Sequence, residues 1–513
     1  MDLSRNGETA APSSLKMDMS FGHDSGGDFS LPDYLPEIQR LLNVTPTVLP
    51  ETKFLSGNVL ELGGTMSYSV LYFGDDNTLA CTSLVTEYNA DTALPAAVEN
   101  AGDILYDCDI ENTTCRVTGP RSLNIKTRLK SRVMSDESIA DEGCVLGADD
   151  KKADAAMCMS VERLRLPVTS MTRTCGMTTA SATGEITSAA PTSKPIMCEG
   201  TMGVSYAEAR DDGVLAKGDI YVKCIFAEAD GKSCCRKTKI PFEILIPVRN
   251  VAAGSKARAW GRVASVTVMA SGTSEGTFTV SAEYDIEGES LAVCDTTLCC
   301  DAYSTELESE NEMREAEFLC PLAFGGGQLT VTGEADVKNT SSAGTLVDIT
   351  GSVGSVQVTA SDGKLYVTGN VKFKAIIEGE NEMTAPEFEL PVKYEIPDST
   401  CDGVSPTELQ SRVSCSVLRA DGKLYDGKVS VNAELAMSFE VLEKQRKRFV
   451  TAVKLGTERQ KDAKSACVKV YFPQSEESLW SVCKKYRADR SRILRANNID
   501  GDKVKKGKPI IIY

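Results

Sequence analysis

Long stretches of this chain alternate apolar and polar residues one by one. From Thr277 to Glu287, Phe278, Val280, Ala282, Tyr284 and Ile286 point one way, and Thr277, Thr279, Ser281, Glu283, Asp285 and Glu287 point the other. Val429 to Val441 repeats the pattern, with Val429, Val431, Ala433, Leu435, Met437, Phe439 and Val441 on one face. Lys364 to Ile377 gathers Leu365, Val367, Val371, Phe373, Ala375 and Ile377. A period of two sends successive side chains to opposite faces, so each stretch predicts an antiparallel strand with one buried and one wet face. Turn signals punctuate these runs at Asp211-Asp212-Gly213, Asp230-Gly231, Asp362-Gly363 and Asp421-Gly422. Asp-Gly readily supplies the positive φ angles of tight hairpins, so these positions are expected between strands.

The strands recur at long range. Gly64-Thr65-Met66-Ser67-Tyr68 opens a run ending in Leu71-Tyr72-Phe73; Gly218-Asp219-Ile220-Tyr221-Val222 opens one ending in Ile225-Phe226; Gly369-Asn370-Val371-Lys372-Phe373 opens one ending in Ile376-Ile377. Each is followed by a segment closing on proline, at Leu94-Pro95, Ile246-Pro247 and Ile396-Pro397, and then by a strand pair at 121–134, 263–286 and 413–441. Landmarks repeated in the same order predict three copies of one domain. The expected fold is mainly β, with three tandem antiparallel β-sandwich-like domains at 29–150, 158–292 and 293–455. Residues 1–28 are polar, with Gly22, Gly26 and Gly27, and read as a disordered arm. Asp136 to Ala156 is acidic and rich in small residues, and reads as a linker or long loop.

The first copy carries a row of cations. Ile125, Thr127, Leu129 and Val133 share one face, and Lys126, Arg128, Lys130 and Arg132 share the other. Such a row suits either an acidic partner or the protection of an edge strand against aggregation.

The pattern changes in the last part of the chain, 466–513. Val468 to Phe472 reads as a short strand. Ser478 has the chemistry of a helix N-cap, and Leu479, Val482, Cys483 and Tyr486 follow as one apolar helical stripe. Asp489 caps a second helix through Ile493 and Leu494, which Asn497-Asn498 stops, because asparagine tolerates the left-handed conformation. Lys505-Lys506-Gly507 is a turn and Ile510 to Ile512 a final strand. The result is a small C-terminal βααβ domain. Within it Trp480, Val482, Tyr486 and Leu494 are expected in the core. Lys484, Lys485, Arg487, Arg490, Arg492 and Arg495 make a basic surface.

Composition narrows the chemistry. The chain is 513 residues long with a net charge of -17, which argues against nucleic-acid binding by the whole chain and against an anionic membrane. From 441 to 513 there are 19 Lys and Arg against 8 Asp and Glu, so this end carries +11 and the remainder -28. That asymmetry suggests different partners for the two ends. The 18 cysteines show no Cys-x-x-Cys spacing, the start of the chain lacks the regions of a signal peptide, and no apolar run approaches the roughly 20 residues of a membrane span. These features fit a reducing cytosol, with thiols as small buried apolar groups. The single histidine, His23, falls in the N-terminal arm, which leaves the folded body without a Ser-His-Asp or Cys-His system. Metal sites and catalytic residues are not expected, no cofactor is expected, and the run Glu306, Glu308, Glu310 and Glu312 reads as a solvated strand face or loop.

The C-terminal segment resembles a LysM domain. The resemblance rests on Tyr471 to Val482 with its Ser478-Leu479-Trp480 helix start, on Tyr486, on Leu494-Arg495-Ala496-Asn497-Asn498, and on Lys506-Gly507-Lys508-Pro509 before the last strand. It implies a shallow groove for N-acetylglucosamine-containing glycan involving Glu477, Ser478, Leu479, Asn498 and Ile499. This chain has Glu476-Glu477 where such domains carry Gly-Asp, and its basic character better suits an acidic protein patch or an anionic polymer. The body is similar to SPOCS domains in Leu31-Pro32-Asp33-Tyr34-Leu35-Pro36-Glu37-Ile38, in the Gly64 to Tyr72 strand, in Asp301-Ala302-Tyr303-Ser304 and in the strand-to-proline endings. Tandem SPOCS domains followed by one LysM domain is the layout of SipL-like spore-coat morphogenetic proteins. That resemblance implies a non-catalytic scaffold or adaptor on the mother-cell, cytoplasmic side of the forespore, which assembles the coat with a basement-layer ATPase and other coat proteins. A cell-wall protein binding peptidoglycan is the alternative.

Overall fold

The computed structural model describes residues 13–101, 104–138, 161–188, 193–228, 232–252, 254–271, 276–337, 344–379, 382–399, 401, 404–458, 468–499 and 501–513. It is mainly β, and the six-strand plan of the first repeat recurs in the other two. In the first, β1 (Ser13–Ser30), β6 (Ser122–Ser138) and β5 (Leu105–Gly119) form one layer, half of a six-stranded sheet whose other half belongs to the third repeat. The meander β2 (Ile38–Ser56), β3 (Val59–Gly74) and β4 (Leu79–Ala93) forms the second. The second repeat sets β7 (Val161–Thr187), β12 (Thr277–Ser304) and β11 (Lys256–Ala270) against β8 (Lys194–Arg210), β9 (Gly213–Ala227) and β10 (Ser233–Pro247). The third sets β13 (Leu307–Asp336), β19 (Lys428–Glu458) and β18 (Leu409–Tyr425) against β14 (Thr345–Ser361), β15 (Lys364–Glu378), the short β16 (Met383–Thr384) and β17 (Glu387–Glu395).

The alternating faces read from sequence line these cores. Phe278, Val280, Ala282, Tyr284 and Ile286 are buried in the second sandwich, and Val429 to Val441 with Leu365 to Ile377 in the third. Gly64, Gly218 and Gly369 each pair with a residue bordering a β-bulge in the preceding strand, namely Pro50, Val204 and Val356. A Cβ on them would lie 2.3 Å from the Leu49 carbonyl, 2.1 Å from the Gly203 carbonyl and 2.7 Å from the Ser355 carbonyl. The recurring glycine is therefore a steric requirement of the bulge.

Several expectations need correction. Residues 13–28 are not a disordered arm: β1 pairs with β6 from Ser13↔Ser138 to Ser30↔Ser122. Pairing with a strand about a hundred residues away supplies the order that a Gly, Ser and Asp composition hides. The first repeat thus starts within 13–30, not at 29; residues 1–12 lie outside the described residues. β6 is flanked on both sides, so its cations protect no edge, and Arg128 and Arg132 instead pair with Asp24 and Asp18 of β1. Asp136 belongs to β6, and residues 139–156 of the expected linker lie outside the described residues. β12 runs through the expected boundary at 292–293 and ends at Ser304, and the third repeat spans 307–458. Asp421-Gly422 is no turn: it pairs with Asn432 and Val431 inside β18, and the hairpin turns at Asp426-Gly427, with φ 46° and 71°. Asp362-Gly363 turns as expected, and Asp230-Gly231 lies outside the described residues.

Equivalent positions of the three repeats meet each other. Leu71, Ile225 and Ile376, each seven residues after its repeat's landmark glycine, come together in one buried cluster with Leu42, Met197 and Val347. A second meeting point is ionic. The cross-strand pairs Asp107↔Arg132, Arg258↔Glu289 and Arg412↔Glu440 occupy matching places in the three hairpins, with the charges inverted in the first. Arg412 bonds Glu289 of the second repeat and lies 3.6 Å from Asp107 of the first. Arg173 reaches Glu440 at 2.6 Å and Asp136 at 3.5 Å. Trp260 lies under the Arg258 and Arg412 guanidiniums. Burying these charges is tolerated because each faces an opposite charge.

The strands of the second and third repeats continue past their sandwiches. The ends of β7 and β12 form one ribbon, those of β13 and β19 another, and the two pack through Val168, Leu298, Phe318 and Phe449 into a stem. The C-terminal module sits on this stem. It comprises β20 (Lys469–Tyr471), β21 (Glu477–Ser478), α1 (Leu479–Tyr486), α2 (Arg490–Asn497), β22 (Lys503–Val504) and β23 (Ile510–Ile512), with β20 paired to β23 and β21 to β22.

Candidate functional site

The module is built as its sequence reads. Ser478 caps α1 by accepting from the Ser481 amide, and Asp489 caps α2 by accepting from the Arg492 amide. Burial works against the Asp489 charge, but donors from Ser491 and Arg492 outweigh it and hold the carboxyl below its ordinary range. Asn498 closes α2 in the left-handed conformation, φ 45° and ψ 53°. Leu479, Val482 and Cys483 are buried, Tyr486 and Leu494 pack at the edge, and Tyr303 of the stem completes this core.

Trp480 is a docking residue as well as a core residue. Its ring lies 5.0 Å from that of Tyr303, and its Nε1 donates to Asp301 at 2.9 Å. Lys484 donates to both Asp301 oxygens at 2.6 and 2.7 Å. Arg487 donates to Ser309 at 3.0 Å and pairs with Glu308 at 3.1 Å, while the Tyr303 hydroxyl donates to the Ala488 carbonyl at 2.8 Å. The Asp301 to Ser304 segment is therefore the seat of the module. The expected basic surface divides. Lys484 and Arg487 face the stem and Arg490 pairs with Asp502, whereas Lys485, Arg492 (3.6 Å from Asp489) and Arg495 are exposed with Lys505, Lys506 and Lys508. Glu308, Glu310 and Glu312 lie on the wet face of β13.

The expected groove residues are adjacent but not equally available. Ser478 pairs with Lys503, and the Leu479 amide donates to the Asp502 carbonyl, which brings the start of α1 beside the segment after Ile499. Leu479 is fully buried, Ile499 packs against the core, and the Glu477 carboxylate accepts from the Tyr471 hydroxyl at 2.6 Å. Ser478 and Asn498 are exposed.

A second feature is a cavity of about 910 Å³ between the three repeats, lined by polar and apolar groups alike. Lys223, Glu199, Lys237, Trp260, Arg262 and Cys198 are among its lining residues. Lys223 bonds Asp348 at 2.8 Å and Glu199 at 3.1 Å; burial disfavours its charge, but these two carboxylates outweigh that and raise its pKa. Asp348 is lowered in turn, because Lys223 and Lys237 overcome its burial. Its walls come from distant parts of the chain, so no local motif marks it.

His23 is part of the folded body rather than of an arm. Its Nε2 lies 2.9 Å from the Ser131 hydroxyl and its ring 5.5 Å from that of Tyr88. Burial, then Arg128, lowers its pKa against the pull of Asp24. Ser131 is fully buried and His23 partly so.

Among the described residues, no group of three or more His, Cys, Asp or Glu is placed to hold a metal ion, and no helix is long and apolar enough to cross a membrane. Neither a protein-family model, a curated protein nor a solved structure matches the chain.

Proposed function

We propose that this protein is a non-catalytic adaptor that assembles a protein layer, with the C-terminal module as its targeting element. From the resemblance, the layer is the bacterial spore coat around the forespore. The setting is the mother-cell cytoplasm, and the partners are the coat's basement-layer ATPase and other coat proteins. The observation that carries this reading is the division of the module's cations. Trp480, Lys484 and Arg487 fasten it to the stem, and Lys485, Arg492 and Arg495 are left outward on a firmly seated support. Such a surface suits an acidic protein patch, and three linked repeats offer further weak contacts that add through effective concentration.

Binding of N-acetylglucosamine-containing glycan, the peptidoglycan reading, has less support. Two of the five groove residues pack into the module core, and the Glu477 carboxylate is already engaged. The test uses the full chain and a K485E/R492E/R495E variant against the immobilised basement-layer ATPase, alongside sedimentation with insoluble peptidoglycan. The reading expects the wild type to bind the ATPase and the variant to bind it at least about tenfold more weakly, a difference of about 1.4 kcal/mol. Unchanged binding by the variant, or sedimentation of the wild type that chitooligosaccharide competes away, would overturn it.

A further inference from the structure

Cys198 of β8 and Cys224 of β9 stand directly opposite each other in antiparallel register. Opposed residues of such a pair have Cα atoms about 4.5–5.5 Å apart and side chains on the same face of the sheet. That spacing lies inside the roughly 4.4–6.8 Å range that a disulfide spans. Cys198 lines the central cavity, and Cys224 is fully buried behind it.

We propose that Cys198 and Cys224 form a redox-modifiable dithiol, closing to a cross-strand disulfide when a small disulfide such as oxidised glutathione reaches Cys198 through the cavity. The Cys198 thiolate attacks the small disulfide, its sulfur–sulfur bond breaks, and one glutathione thiol departs with the proton that Cys198 gave up. The Cys224 thiolate then attacks the Cys198 sulfur of the mixed disulfide and expels the second glutathione in the same way. Two protein thiols are oxidised, and one small disulfide is reduced to two thiols. The order of attack follows from position. Cys198 is at the cavity wall, whereas the adjacent Cys198 sulfur, then burial, keeps Cys224 protonated while the pair is intact. The closed form ties β8 to β9 where the second repeat faces the first and third.

The competing partners are Cys81, Cys108 and Cys415, which also line the cavity but whose thiols burial pushes up, Cys81 to about 11. The exposed Cys175 reports whether the oxidant is active. The folded full chain is treated with oxidised glutathione, its remaining thiols are alkylated, and the digest is mapped by mass spectrometry. The expected result is a linked Cys198–Cys224 peptide in the wild type, one glutathione trapped on Cys198 in Cys224→Ser, and a reduced Cys224 in Cys198→Ser. Alkylated Cys198 and Cys224 in wild-type protein whose Cys175 carries glutathione would overturn the proposal, as would a Cys81–Cys198 link. The wild-type map decides the matter even where a serine variant fails to fold.

Discussion

Glu287 lies on β12 opposite Trp260, at the edge of the ionic meeting point. Burial, then the neighbouring Asp107, pushes its carboxyl up to about 7; Arg262 and Arg258 pull the other way, and Glu289 adds to the rise. In the unfolded chain a glutamate titrates near about 4.3. The folded state therefore holds the proton more tightly, so this contribution to stability is fully present below about pH 4.3 and is lost as pH rises through about 7. Glu287→Gln should abolish that loss. Thermal midpoints at pH 5 and pH 8 should differ less in the variant than in the wild type, with the variant gaining at pH 8.

Strands and helices are where local chemistry is most legible. The caps Ser478, Asp489 and Asn498 do what their side chains allow, because a cap satisfies backbone groups within a few residues. The landmark glycines can be tested at the same scale. In Gly218→Ala the added methyl would meet the Gly203 carbonyl at 2.1 Å and the Phe242 ring at 2.9 Å. Backbone cannot yield cheaply, so the variant should lose about 1–3 kcal/mol in denaturant titration. Gly27→Ala, in β1 with open space where its Cβ would go, should change little or gain up to about 1 kcal/mol through a less flexible unfolded chain. Equal losses at both sites would contradict the steric account of the repeat.

At the scale of the molecule, the ionic meeting point joins the repeats into one body. Glu440 is 2% exposed and faces Arg173 at 2.6 Å, Arg412 at 3.5 Å and Arg258 at 3.8 Å. Glu440→Ala leaves those guanidiniums short of a counter-charge in a buried place, which costs about 3–5 kcal/mol. Because Arg173 and Arg258 belong to the second repeat and Arg412 to the third, hydrogen exchange should accelerate in both repeats. Loss of protection confined to the third repeat would show that the repeats are energetically independent. The module depends on the same continuity: Asp301 and Tyr303 seat it only because β12 extends beyond its sandwich.

The sequence by itself determined the strand faces, the three-fold repetition, the landmark glycines and the capped helices of the module. Each of these is written in contacts between residues close in the chain or in a pattern that recurs. Tertiary structure alone decided the rest. β1 became a strand because β6 pairs with it across more than a hundred residues, and Asp421-Gly422 was drawn into a ladder while Asp426-Gly427 took the turn. Burial of some cations and exposure of others, the cavity among the repeats, and the facing of Cys198 and Cys224 depend on how distant strands align. No local period carries that register, because it is fixed by side chains that meet only after the sheets have formed.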